Sequence, residues 1–161
     1  MPQITITKNI ATDSITAFNY ILPIDLSHIF KPYSFLPGIK STTWQSKDTS
    51  EQIWKEGISR TVHFDDGSTA DEKMTKVIIN QTFEYQITNW SSVFKLLVRS
   101  IKGKFVFKAV SDKETNIVWT YTLFSQNILA GWLVNLIILP RLQKVLNKAI
   151  DIIKLDLENT K

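Results

Sequence analysis

Cysteine is absent from this sequence, which removes disulfides, thiolate nucleophiles and thiolate metal ligands together. Histidine occurs only as His28 and His63. Neither stands in a ligand spacing of the HExxH kind, and strand parity turns His63 outward, so no metal, no cofactor and no histidine general base is expected. Five glycines leave no phosphate-cradling loop, and no GxSxG elbow is present for a serine nucleophile. Nucleotide and hydrolase chemistry fall away with them. The excess of basic residues, 19 against 15 acidic for a net charge of +4, is spread along the chain without a basic run interleaved with aromatics. A nucleic-acid partner is therefore not expected. The opening "MPQITITKNIATD" lacks the basic region and continuous apolar run of a secretory signal. Together with the missing cysteine, this makes the cytoplasm the expected location.

What the chain does have is apolar and aromatic weight, 43% and 11% of 161 residues, enough to bury a sizeable core as a single domain, 1–161. No repeat, low-complexity tract or linker divides it. The most apolar stretch, "NILAGWLVNLIILP" at 127–140, belongs to a run from Thr115 to Pro140 without a charge. Ser125, Gln126 and Asn127 break that run, and the apolar part after them covers about 21 Å as a helix, short of a hydrocarbon core of roughly 30 Å. A spanning helix is not expected. Before the break, Ile117, Trp119, Tyr121 and Leu123 alternate with Val118, Thr120 and Thr122, the period of a strand.

The rest reads by the same rules. "QITITKNI" is a β-branched first strand, and Thr12 or Asp13 can cap a helix through "SITAFNYIL". "DLSHIF" is a second short helix and "KPYSFLPG" a proline-punctuated loop. From "IKSTTWQS" onward strands dominate, over about 51–65, 68–89 and 103–124. A long helix over about 127–157 closes the chain, interrupted and kinked by Pro140, apolar almost all round upstream and amphipathic downstream. The class is α+β: one curved antiparallel sheet of about seven strands, two short helices after its first strand, and a long C-terminal helix.

That element order, with "GISRTVHFDDGSTADEKM", "FEYQI" and "TNIVWTYTL", resembles the START-like helix-grip (SRPBCC) superfamily, and within it the polyketide cyclase and lipid-transport group. The resemblance covers nearly the whole chain and its motif part is Gly57, Arg60, Asp66-Gly67, Glu72 and Tyr85. It implies a sheet wrapped around the long helix, with a cavity between them that holds an apolar or amphipathic small molecule.

Strand parity brings charges to the inner face. Arg60 shares a side with Ile58, Val62 and Phe64, and Glu72 with Ala70 and Met74. A three-residue turn at Asp65-Asp66-Gly67 places Arg60 opposite Glu72, whereas a two-residue turn places it opposite Lys73 and turns that lysine toward the apolar face. The three-residue register is the expected one. The pair is then either a buried salt bridge that fixes register or a polar anchor for a ligand carboxylate, hydroxyl or ketone. Both readings stay open.

The same parity turns Phe83, Tyr85 and Ile87 inward, with Phe105, Phe107 and Ala109, then Trp119 and Tyr121. Such inner aromatics form either plain core, the commoner case, or a ligand wall, and three buried polar tips that need partners suggest a wet or ligand-filled space. Trp132, Asn135 and Ile138 are expected to cover it, and the loop with Tyr33 and Phe35 is either a gate over its mouth or an ordinary connection. Binding or carrying a lipid-like or polycyclic molecule is the leading function. One alternative is an aromatase/cyclase-type enzyme with Arg60, Glu72 and Tyr85 as its polar groups. The other is a module that docks on a partner or a membrane surface through the apolar cover.

Overall fold

The computed structural model describes residues 1–45 and 54–160. Strand β1 (Gln3–Ile10) is followed by α1 (Ser14–Ile21) and α2 (Leu26–Ile29). Each helix is started by an aspartate whose carboxylate accepts from backbone N–H groups: Asp13 from Thr16 at 2.8 Å and Asp25 from Ser27 at 3.0 Å. Strands β2 (Ile39–Trp44), β3 (Ser59–Phe64), β4 (Thr69–Ile78), β5 (Thr82–Thr88), β6 (Val98–Ser111) and β7 (Glu114–Ser125) follow, with one 3₁₀ turn at Val93–Leu96. The seven strands form one antiparallel sheet in the order β1-β7-β6-β5-β4-β3-β2. From β2 to β7 each strand pairs with its neighbour in the chain, and β7 pairs with β1.

The expected strand over 51–65 is shorter. Residues 51–53 lie outside the described part, 54–58 form a turn around Gly57 at φ +88°, and pairing begins at Ser59. The expected 68–89 and 103–124 each hold a hairpin, and β6 starts earlier, at Val98, where a bulge against β7 offsets the alternation. The turn at Asp65-Asp66-Gly67 has the expected three-residue form. Gly67 sits at φ +84°, the Phe64 N–H donates to the Ser68 carbonyl at 2.9 Å, and Arg60 faces Glu72.

The C-terminal helix starts at an Asn127 cap, runs as α3 (Ile128–Leu133), widens into a π turn over Val134–Ile138 and continues as α4 (Leu139–Asn159). The expected interruption at Pro140 takes the form of this wider turn: Leu139 N–H donates to the Val134 carbonyl, five residues back, and the proline begins the next stretch. One inserted residue relieves a helix that must lose an N–H at proline. By length and composition Ile128–Asn159 could cross a membrane, but its downstream half is the core helix of the fold, burying Leu146, Ala149, Ile150, Ile153 and Leu157 with the sheet's inner face.

Candidate functional site

Toward the β2 end of the sheet the helix and sheet diverge, and a cavity of about 300 Å³ opens between them. Its wall is mostly apolar: Phe83, Ile101 and Phe105 from the sheet, Ile138, Leu142 and Val145 from the helix. Into this wall β3 and β4 project Arg60 and Glu72, 5% and 4% exposed. Glu72 Oε1 accepts from Arg60 Nε at 2.9 Å and Nη2 at 2.6 Å. The guanidinium lies 4.2 Å from the Trp54 ring centroid and 5.8 Å from that of Trp44, which faces Arg60 across β2–β3. A planar delocalised cation against two adjoining indole rings is held by both these contacts and its carboxylate. Burial pushes the Glu72 carboxyl above its ordinary value, and the Arg60 charge pulls against that rise without cancelling it.

A second polar group crosses the middle strands. Tyr85 on β5 accepts at its hydroxyl from Trp119 Nε1 on β7 at 3.0 Å, and the Tyr121 ring stands edge-on to it at 6.2 Å between centroids. To reach β7 the Tyr85 side chain must lie across β6, and the β6 residue in register with both Tyr85 and Tyr121 is Gly103. A Cβ on Gly103 would stand 2.2 Å from Tyr85 Cζ and 2.6 Å from its hydroxyl oxygen. The glycine is the gap through which the network passes. Burial, then the neighbouring Tyr121 and Glu72, push the Tyr85 phenol well above its ordinary value, and burial also raises Tyr121. Both hydroxyls stay protonated and act as hydrogen-bonding groups.

Arg60, Glu72, Tyr85, Phe105, Trp119 and Tyr121 all line the cavity, as does Ile138. Five expected placements need correction. Phe107 has the right parity but belongs to the core under α1, edge-on to Phe18 at 5.3 Å between centroids. Ala109 is exposed near the end of β6. Trp132, at 73% exposure, and Asn135 face solvent, because the π turn gives the inward positions to Ala130, Val134 and Ile138. In the gate loop Phe35 reaches the cavity rim, beside Arg141 at 5.1 Å, while Tyr33 packs outside on Lys144 at 5.6 Å. His28 bonds Asp156 at 2.6 Å and His63 bonds Thr43 at 2.9 Å, both away from the cavity.

The sequence reading missed Trp44, Trp54, Gly103 and Trp90. Trp44 was within reach of the parity rule, since it faces Arg60. Trp90 lines the cavity, stacks on Phe64, and keeps a buried indole N–H without a partner among the described residues. Among the described residues no cluster of histidine and carboxylates could hold a metal.

No protein-family model and no curated protein matches this sequence. Solved structures do. They include a START superfamily protein from Mycobacterium smegmatis, 9% identical with a TM-score of 0.70 over 99% of each chain. The Zhui aromatase/cyclase of a Streptomyces species is 11% identical, with a TM-score of 0.70 over 98% of this chain and 93% of that one. Norcoclaurine synthase from Thalictrum flavum, solved with dopamine and hydroxybenzaldehyde, is 13% identical, with a TM-score of 0.70 over 99% of this chain and 88% of that one. Sheet order, helix placement and these matches agree that the chain has the START-like helix-grip fold.

Proposed function

We propose that the chain binds or carries a largely apolar small molecule, lipid-like or polycyclic, whose polar part is uncharged. The observation that carries this reading is an apolar cavity of about 300 Å³ whose strongly buried charges among the described residues, Arg60 and Glu72, already neutralise each other. A ligand carboxylate would add an unbalanced charge to a buried pair that is already neutral, at a desolvation cost a neutral group avoids. A hydroxyl, ketone or ether suits the site better. It can meet the edge of the Arg60–Glu72 pair or the Tyr85–Tyr121 hydroxyls, and the unpartnered Trp90 N–H offers a donor to an acceptor atom. The tyrosines, held protonated, suit positioning of such a group more than proton abstraction.

The test fills the cavity. Leu142 lines it from α4 and is half-buried, so Leu142→Trp puts bulk into the space while leaving the core cluster below intact. An uncharged apolar fluorophore is expected to bind the wild type and to bind Leu142→Trp on the order of tenfold more weakly, with unchanged circular dichroism. Equal uptake by both, or none by the wild type, would remove the basis for the cavity reading.

A further inference from the structure

One face of the molecule remains unexplained by ligand binding. Along α3 and the π turn, Ala130, Val134 and Ile138 point inward, while Ile128 (82%), Leu129 (71%), Trp132 (73%) and Leu136 (75%) are exposed. The 3₁₀ turn Val93–Leu96 adds Val93 (79%) and Leu96 (65%). The two pieces are tied together: the Gln126 N–H donates to the Leu97 carbonyl at 3.0 Å and its side-chain amide to the Lys95 carbonyl at 2.8 Å. Water-facing apolar side chains in this number are unusual on a monomer and mark a surface that docks.

Two further observations say on what. The first is position. Phe94 and Leu97, neighbours of the exposed Val93 and Leu96, turn inward to line the cavity, and Ile138 and Phe35 line it from the helix and the loop 31–38. The apolar face is thus continuous with the cavity mouth. The second is charge. No acidic residue occurs between Glu84 and Asp112 or between Glu114 and Asp151, whereas Lys95, Arg99, Arg141 and Lys144 lie in those stretches. Lys95 lies in the 3₁₀ turn, Arg99 follows it, and both are exposed. Arg141 and Lys144 sit over Phe35 and Tyr33 of the mouth loop. An apolar face with an indole among its exposed side chains and cations around it matches the layering of a bilayer surface with anionic headgroups, where apolar side chains enter the acyl boundary and lysine and arginine stay at the phosphates.

We infer that this face docks the protein on an anionic lipid bilayer, with the cavity mouth against the membrane so that an apolar cargo passes between the two without crossing water. The purpose of docking rests on the cavity reading; the docking itself does not.

The test is flotation of the full chain with phosphatidylcholine vesicles, with and without phosphatidylserine, alongside the double variant Trp132→Ser, Leu136→Ser. Both side chains are exposed, so the fold should persist, and fluorophore uptake without vesicles should match the wild type. The wild type is expected to float with the phosphatidylserine vesicles, less so as salt rises, and the variant to partition about tenfold or more weakly. Lys95→Glu with Arg99→Glu should weaken only the phosphatidylserine-dependent part. Equal partitioning of wild type and double variant would overturn the inference. So would a wild-type dimer that fails to float and that the double variant splits into monomers, which assigns the face to a second copy of the chain. Normal flotation with failed fluorophore uptake would instead strike the cavity reading and leave docking standing.

Discussion

Glu72→Leu is expected to lower folding stability by about 3–5 kcal/mol, because it strands the Arg60 guanidinium, 5% exposed, without its carboxylate. Arginine cannot shed its proton, and the two indoles over it replace only part of the lost attraction. The reciprocal change, Arg60→Met, is expected to cost less and to make the cost depend on pH. Burial already holds the Glu72 carboxyl above its ordinary value, and removing Arg60 removes the interaction that opposes the rise. The folded state then binds a proton that the unfolded chain releases at the ordinary carboxylate value. Stability is therefore fully present below that ordinary value and lost as pH rises through the elevated folded one. Denaturant melts of Arg60→Met should approach wild type in mild acid and fall away toward neutrality, whereas the Glu72→Leu deficit should persist across the same range. Combining both changes is expected to recover most of the loss, since apolar groups of similar volume replace a buried pair at little cost. Ligand uptake by that double variant separates the two roles left open for the pair: retained uptake makes it a register lock, and lost uptake in a stable protein makes it a ligand anchor.

The second large effect is expected at Gly103→Ala. The added methyl carbon would overlap the Tyr85 ring, 2.2 Å from Cζ, and neither side can yield cheaply. Tyr85 is packed at 6.2 Å between centroids from both Phe83 and Tyr121, and Gly103 is fixed between two paired strands. Overpacking of this kind costs about 1–3 kcal/mol. The tyrosine's escape is into the cavity, which parts its hydroxyl from Trp119 Nε1 and reduces the space available. A loss of stability together with weakened fluorophore uptake is expected, and Gly103→Ala combined with Tyr85→Ala should relieve the strain while leaving the cavity larger. Wild-type stability and uptake in Gly103→Ala would mean that the ring lies elsewhere in solution.

The contrast between these two sites shows what the sequence makes legible. The Arg60–Glu72 pairing follows from local chemistry alone: a turn that wants glycine in the left-handed position and a register that keeps Lys73 off the apolar face. Gly103 follows from nothing local. Its role depends on a tyrosine one strand away reaching a tryptophan on the strand beyond it. Trp54 has the parity of Arg60 within the expected strand over 51–65, but it precedes the paired strand and packs on Arg60 from outside it.

The helix cover failed for a different reason. Stepping back from Leu146 and Leu142 at regular α-helical spacing puts Asn135 and Trp132 on the inner side, as expected from the sequence. The π turn inserts one residue and rotates the upstream half, so Val134 and Ala130 take those places. In a stretch apolar all round, nothing in the hydrophobic pattern reveals that rotation. Phe107 shows the same limit in the sheet. Parity gives its face, but only the packing of Phe18 from α1 decides that it is core and not cavity wall.

The most direct measurement is native mass spectrometry of the purified protein followed by organic extraction. If the cavity between sheet and helix is a binding site, a fraction of the protein should carry an added mass that extraction recovers as an uncharged, mainly apolar molecule, and an added neutral sterol or polycycle should occupy the same site in stripped protein. Protein of bare mass that also takes up no such molecule, while remaining folded, would contradict the binding reading and make the inner aromatics core alone.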